Sequence, residues 1–265
     1  MHESLSVLLG RLAEEAGLEG GQIHLIALPS GERFTRDDGA WRYPASLIKL
    51  PLAVAVARAV EDGRLRWDSP VTVDARNGTL NDAPSPMLAG YRTDVAELVT
   101  FMLQRSDNVA TNQLYDVLGR ERATADVHAL GFEQTFFRRK LSGADPLIDD
   151  PEATGRNSHP AAECAALLAA LDAGRLPQSQ RLREILAVSW WDVKLSGGLE
   201  PGDVFAHKTG DTDSVSHDAG ILRLAGGARW AIAVYTELPS RKENDQRFGA
   251  FMRSLRPHLL NKRGP

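Results

Sequence analysis

The chain has one cysteine, Cys164, in 265 residues, which excludes an internal disulfide. Its alanine- and leucine-rich surroundings make it a buried thiol. Charge of a single sign is also missing: 31 basic and 35 acidic residues are interspersed to a net −4. There is therefore neither a basic stripe to hold nucleic acid nor an acidic tail, and no nucleic-acid partner is expected. No run approaches the roughly 18–20 continuous apolar residues of a membrane-spanning helix, so no membrane span is expected either. The opening ten residues lack a basic start followed by a long apolar segment and a small-residue cleavage site. As written the chain reads as cytoplasmic, or as periplasmic or secreted if a leader was trimmed from it. Internal repeats and low-complexity tracts are absent. What remains is a globular composition, long enough for one large domain or two small ones.

Leu5, Leu8, Leu9, Leu12 and Ala16 form a helical stripe that ends at Gly17 and the Gly20-Gly21 pair. Residues 22–28 and 33–36 read as a strand hairpin. Residues 50–60 are almost wholly small and apolar, which predicts a helix buried on most sides. From Asp62 to Arg92 the chain is rich in Gly, Pro, Asn and Asp and reads as loop, with a short strand at 71–73. Asp94 and Glu97 have capping-box spacing ahead of Val95, Leu98, Val99 and Met102. After a turn at 105–108, helices are predicted near 109–118, 121–130, 161–173 and 178–189. The stretch from Arg138 to His159 has no period and is long for a loop in a compact domain, which marks it as functional or mobile rather than incidental. Strands at 204–209, 218–224 and 230–236 precede a closing helix over 241–260. Both chain ends thus supply strands and the middle supplies helices. The fold class is α/β (α+β): an antiparallel sheet flanked by helices, with an inserted all-helical subdomain. The expected domains are 1–45 with 195–265, and 46–194, with a crevice between them.

Ser46 and Lys49 stand three residues apart where the buried helix should begin, so the lysine amine can reach the serine hydroxyl. A serine in a first turn also has unpaired backbone N–H groups and the positive end of the helix dipole beside it, which suits a developing oxyanion. Taken alone, the pair is equally a capping serine followed by a solvated lysine. Two further polar motifs follow: Ser106-Asp107-Asn108 in the turn between helices, and Lys208-Thr209-Gly210 on a late strand. In this order and context the three resemble the class A serine β-lactamases and penicillin-binding DD-peptidases, across most of the chain.

The resemblance implies that Ser46 is the acylated nucleophile and Lys49 its proton acceptor, which requires a neutral amine with a depressed pKa. Lys208 would be the second cation that depresses it and would attract a substrate carboxylate. Ser106 would relay a proton to the departing nitrogen. Asn108 would bond the substrate amide and fix Lys49. Thr209 would share the carboxylate, and Gly210 would let substrate backbone lie against the strand edge. The oxyanion would sit between the N–H groups of Ser46 and Asp211. Read from the residues alone, Ser106 and Asn108 are also ordinary turn and cap residues, and Lys208 an ordinary strand lysine.

Two departures stand out. Class A β-lactamases carry a loop glutamate that activates the deacylating water, and Leu141 falls where it should be. The segments Arg138–Leu141 and Gly155–Asn157 look more like the DD-peptidase-like relatives. Asp145, Asp149, Asp150 and Glu152 remain as loop carboxylates. On the strand after Lys208, where many β-lactamases place an arginine for the substrate carboxylate, His217 is the nearest candidate, with a strand histidine bonded to backbone as the alternative. His207, Asp211, Asp213, His217 and Asp218 follow no familiar metal-ligand spacing. The expectation is a monomeric serine hydrolase without metal or organic cofactor. It would act on a β-lactam, a D-alanyl peptide or a small amide or ester, with slow β-lactam turnover. A β-lactamase using another loop base and a penicillin-binding sensor without turnover are the alternatives.

Overall fold

The first helix of the computed structural model, which describes residues 4–143 and 147–260, is α1 (Leu5–Glu15), started by Ser4, whose hydroxyl accepts from the Val7 N–H. The strands β1 (Gln22–Leu28) and β2 (Arg33–Arg36) follow. A 3-10 turn at Ala45–Ile48 leads into α2 (Lys49–Glu61), in which every residue from Lys49 to Ala57 is buried. Pro51 sits in its first turn, where the missing N–H costs no helical bond. In the loop-rich stretch β3 (Pro70–Thr72) pairs with β4 (Arg92–Asp94). Sequence patterning finds only the first of these, because three residues are too few to show alternation. The helices α3 (Val95–Gln104), α4 (Asn108–Leu118), α5 (Arg120–His128), α6 (Ala161–Asp172) and α7 (Ser179–Leu186) complete the middle of the chain. The expected capping box at α3 is half formed. Asp94 accepts from the Glu97 N–H at 2.8 Å, but the Glu97 carboxylate accepts from the Thr93 and Tyr91 hydroxyls instead of reaching back.

The chain returns through β5 (Val204–Asp211), β6 (Ser216–Arg223) and β7 (Arg229–Thr236) and ends in α8 (Lys242–Leu260). The five-stranded antiparallel sheet has the order β2-β1-β7-β6-β5. Its inner strands are buried almost throughout, because helices cover both faces. Alternate residues serve the two sides. Ile23, Leu25, Trp230, Ile232 and Val234 pack with α1 and α8. Ile26, Ala231, Ala233 and Tyr235 pack with the cluster that holds α2 and α6. At one edge of the sheet lies β5, beside the 3-10 turn that carries Ser46.

Candidate active site

Ala45 enters the 3-10 turn at a left-handed φ of 47°, a conformation that costs a residue with a Cβ of order 1–3 kcal/mol. It sets half-buried Ser46 over the first turn of α2, with Lys49 fully buried beneath. The Lys49 amine lies 2.6 Å from the Ser106 carbonyl oxygen, 2.8 Å from Asn108 Oδ1, 3.0 Å from Ser46 Oγ and 3.1 Å from Ser106 Oγ. The two shortest contacts are to carbonyl oxygens, which can only accept. A neutral amine spends its two N–H bonds there, and its lone pair is left for the hydroxyls of Ser46 and Ser106. Burial drives the Lys49 pKa well below the lysine value, and the Lys208 cation adds to the shift.

Ser106 reaches this point because the link between α3 and α4 is tight: its own φ is +60°, and Asp107 caps α4 by accepting from the Ala110 N–H at 2.8 Å. Asn108 is held at three atoms. Oδ1 accepts from Lys49, Nδ2 donates to the Leu80 carbonyl at 3.0 Å, and its backbone N–H donates to Asn81 Oδ1. The expected contact between Asn108 and a substrate amide therefore requires exchange of the Leu80 bond, whereas its grip on Lys49 is already made. The pinned 80–82 loop delivers Asp82 to the cavity of about 260 Å³ that Ser46, Asn108 and Leu141 line. Sequence reading misses Asp82, which is one acid among many in a Gly-, Pro- and Asp-rich stretch.

Lys208 and Thr209 are both buried, and the Lys208 amine donates to the Thr209 carbonyl at 2.8 Å. Burial lowers the Lys208 pKa to about 8, with Asp211 opposing and Lys194 assisting. Gly210 does not face open space for substrate backbone, as the sequence suggests. A Cβ there would meet the Pro44 carbonyl oxygen at 3.0 Å and the Leu47 N at 3.3 Å, so its lack of a side chain lets the 3-10 turn that carries Ser46 close onto β5. Bonded and open positions alternate along an antiparallel pair. Since the Thr212 N–H donates to Val215, the Asp211 N–H, opposite Ser216, points out from the free edge of β5.

Lys194 carries no sequence signal, yet its amine lies 2.7 Å from both Asp211 carboxylate oxygens and 2.9 Å from the His217 carbonyl. Burial pushes the Asp211 carboxyl up, and Lys194 more than offsets this and holds it below the usual range. His217 is corrected by the structure. Its Nε2–H donates to the Tyr43 carbonyl at 2.8 Å, its Nδ1 accepts from the Thr236 N–H, and its ring stacks on Tyr235 at 4.3 Å. Burial lowers its pKa to about 4. A neutral ring with both nitrogens spent on backbone cannot hold a substrate carboxylate; it ties the Tyr43 strap to the sheet. The acids and histidines near β5 are likewise claimed singly, His207 by Asp218 and Asp211 by Lys194. Among the described residues no group of three or more His, Cys, Asp or Glu is placed to hold a metal ion.

The long loop is clamped by asparagines. Asn112 donates to the Leu141 carbonyl at 2.9 Å and accepts from its N–H at 2.7 Å. Asn157 accepts from the N–H groups of Arg138 and Arg139 and donates to the Arg139 carbonyl. Leu141 is thereby fixed in the wall of the Ser46 cavity, 6 % exposed. Of the loop carboxylates, Asp150 is buried against Arg120 at 2.6 Å, Glu152 pairs with the same arginine from the surface, and both line with Asp149 a different cavity. Asp145 lies outside the described residues.

A family model described as the beta-lactamase enzyme family matches residues 6–255. The extended-spectrum beta-lactamase PER-1 of Pseudomonas aeruginosa is 27 % identical over 213 residues, 72 % of this chain and 66 % of that protein. The chain thus spans just under two thirds of that relative. An ancestral class A beta-lactamase superposes with a TM-score of 0.80 at 26 % identity, over 96 % of this chain and all of the other. PBP-A superposes at 0.81 with 24 % identity over 97 % of both chains, a likeness of fold; a leucine-to-glutamate variant of PBP-A, solved as an acyl-enzyme with penicillin G, superposes at 0.82 with 24 % identity over 96 % of both. The family match runs from α1 into α8 and takes in every residue around Lys49. The chain therefore belongs to the beta-lactamase enzyme family, in the superfamily of class A serine β-lactamases and penicillin-binding DD-peptidases.

Proposed function

We propose that this chain is a serine acyl-transfer hydrolase in which Ser46 attacks the carbonyl of a β-lactam, a D-alanyl peptide or a small amide or ester. The observation that carries the proposal is the buried Lys49 amine, whose N–H bonds meet two carbonyl oxygens while its lone pair faces Ser46 Oγ at 3.0 Å. Lys49 takes the hydroxyl proton as the Oγ–C bond forms, and the oxyanion lies between the N–H groups of Ser46 and Asp211. Ser106 Oγ, 3.1 Å from the same amine, passes the proton to the leaving nitrogen as the C–N bond breaks. Lys208 and Thr209 receive a substrate carboxylate at the floor of the crevice, between a lobe of residues 46–194 and one of residues 1–45 and 195–265.

Water then has to release the acyl group, and Leu141 supplies no base for it. A β-lactam keeps its opened ring amine tethered in the site, so its adduct should persist, whereas a peptide or ester sheds its leaving group. A β-lactamase with another base is the second reading, favoured by Asp82 in the Ser46 cavity. The test is intact mass against time after mixing with penicillin. One equivalent should remain covalently bound, mapping to Ser46 and absent from Ser46→Ala. An adduct elsewhere would overturn the assignment. Rapid turnover abolished by Asp82→Asn would establish the second reading.

A further inference from the structure

A serine-histidine-aspartate arrangement lies on the opposite face of β5, and the chemistry around Ser46 does not use it. Side chains alternate along a strand, so His207 points away from the side to which its neighbour Lys208 points. Asp218 is fully buried on β6 and receives two hydrogen bonds. His207 Nδ1 lies 2.8 Å from Oδ1, and the Leu195 N–H donates to Oδ2 at 3.1 Å. A carboxylate can only accept, so the His207 proton sits on Nδ1 and Nε2 is left with its lone pair. That lone pair faces Ser196 Oγ at 3.4 Å, which makes the serine the donor and the imidazole its base.

The ring is held in place from the other side as well. Phe205 stacks on it at 4.6 Å, and Gly220 lies beneath, where a Cβ would come within 2.5 Å of the His207 Cβ. Ser196 is half-buried in the 3-10 turn Lys194–Gly198. Together with His207 it opens on a cavity of about 540 Å³, in the size range of small-molecule sites. Its walls include Val188, Leu199 and Phe205, and Asp192 and Glu200 stand on its lining. With Asp203 the lining holds three acids and is more polar than apolar; such a pocket suits an uncharged or cationic acyl group and repels the carboxylate that Lys208 would welcome in the other site.

The geometry points to Ser196 as a second nucleophile, acting on small uncharged acyl esters with His207 as general base and Asp218 as its positioning carboxylate. The Ser196 proton passes to His207 Nε2 as the Oγ–C bond forms. The ester C–O bond then breaks, and the departing alcohol oxygen takes that proton. Water repeats the sequence through His207, releasing the acid and restoring the serine.

The test uses the full chain carrying Ser46→Ala, which removes the first nucleophile, and an alkyl fluorophosphonate as probe. One adduct should form and map by peptide mass to Ser196. Hydrolysis of p-nitrophenyl butyrate should persist and fall about 10²-fold on adding Ser196→Ala, with circular dichroism confirming an unchanged fold. No adduct, an adduct at another residue, or equal ester hydrolysis with and without the Ser196 hydroxyl would reduce the arrangement to a buried histidine with its hydrogen-bond partners. The mapping uses only the Ser46→Ala protein, so the proposal stays testable even where the double variant misfolds.

Discussion

Leu141→Glu should turn a slow penicillin adduct into a fast one. The backbone at this position is clamped on both sides by Asn112, and the side chain forms part of the Ser46 cavity wall, so the introduced carboxylate enters that cavity at a fixed height. A positioned general base contributes roughly 10²–10⁴-fold, or about 3–5 kcal/mol of barrier. The acyl-enzyme half-life should shorten by that factor. The exchange has a cost, since Leu141 is 6 % exposed and giving up its burial loses about 1.5–3 kcal/mol. For a chain of this size that amounts to a fall in Tm of about 3–12 °C, which leaves a folded protein. Burial raises a carboxyl pKa, so the new activity should decline as pH falls through that raised value. The assay is a pulse of penicillin, removal of excess, and intact mass at intervals. Leu141→Gln is the control, of equal size but unable to take a proton. An unchanged half-life in folded Leu141→Glu protein, or equal acceleration by the glutamine, would refute the argument that a missing base limits release.

Acylation by a carboxylate-bearing substrate should rise with pH as Lys49 loses its proton, at a pH well below that of an exposed lysine, because its pKa is lowered. It should fall again near pH 8 as Lys208 is neutralised; a rate flat across this range, with acylation shown to be limiting, would count against both roles. Gly210→Ala would push on the Pro44 carbonyl and the Leu47 backbone, and because misplacing a nucleophile by 1 Å can cost about 10²-fold, stopped-flow acylation should slow by at least ten-fold. Asn112→Ala strips two buried hydrogen bonds from Leu141 and should destabilise the protein by about 2–4 kcal/mol, read from the midpoint of urea unfolding.

The sequence reveals those parts of this protein that are local. The three-residue spacing of Ser46 and Lys49 belongs to one helix turn, and the stripe through α1 and the apolar run of α2 announce their own periods. What sequence misses depends on distant partners. His217 looks like an anion ligand until the Tyr43 carbonyl, 174 residues away, is seen to take its Nε2–H. Lys194 sits in a turn without periodicity, and only folding brings it to Asp211. Asn112 reads as a mid-helix polar residue, and its role appears once the long loop lies across it. Gly210 was legible as necessary, but the close approach it permits comes from the chain's own turn at Pro44–Leu47.

Of the four non-glycine residues with positive φ among the described residues, Ala45 and Ser106 stand at the Ser46 crevice and Lys194 holds Asp211 on its lining, and the buried lysines Lys49 and Lys208 lie beside them. A protein selected for heat resistance alone would relax these positions first, with glycine at 45 or 106 and an apolar residue at 49. Each such change should raise the melting temperature and silence the chemistry. Thermal stability and catalysis are therefore opposed in this fold at a few identifiable residues. Consensus-based stabilisation should spare those residues and work on the exposed surfaces of α1 and α8.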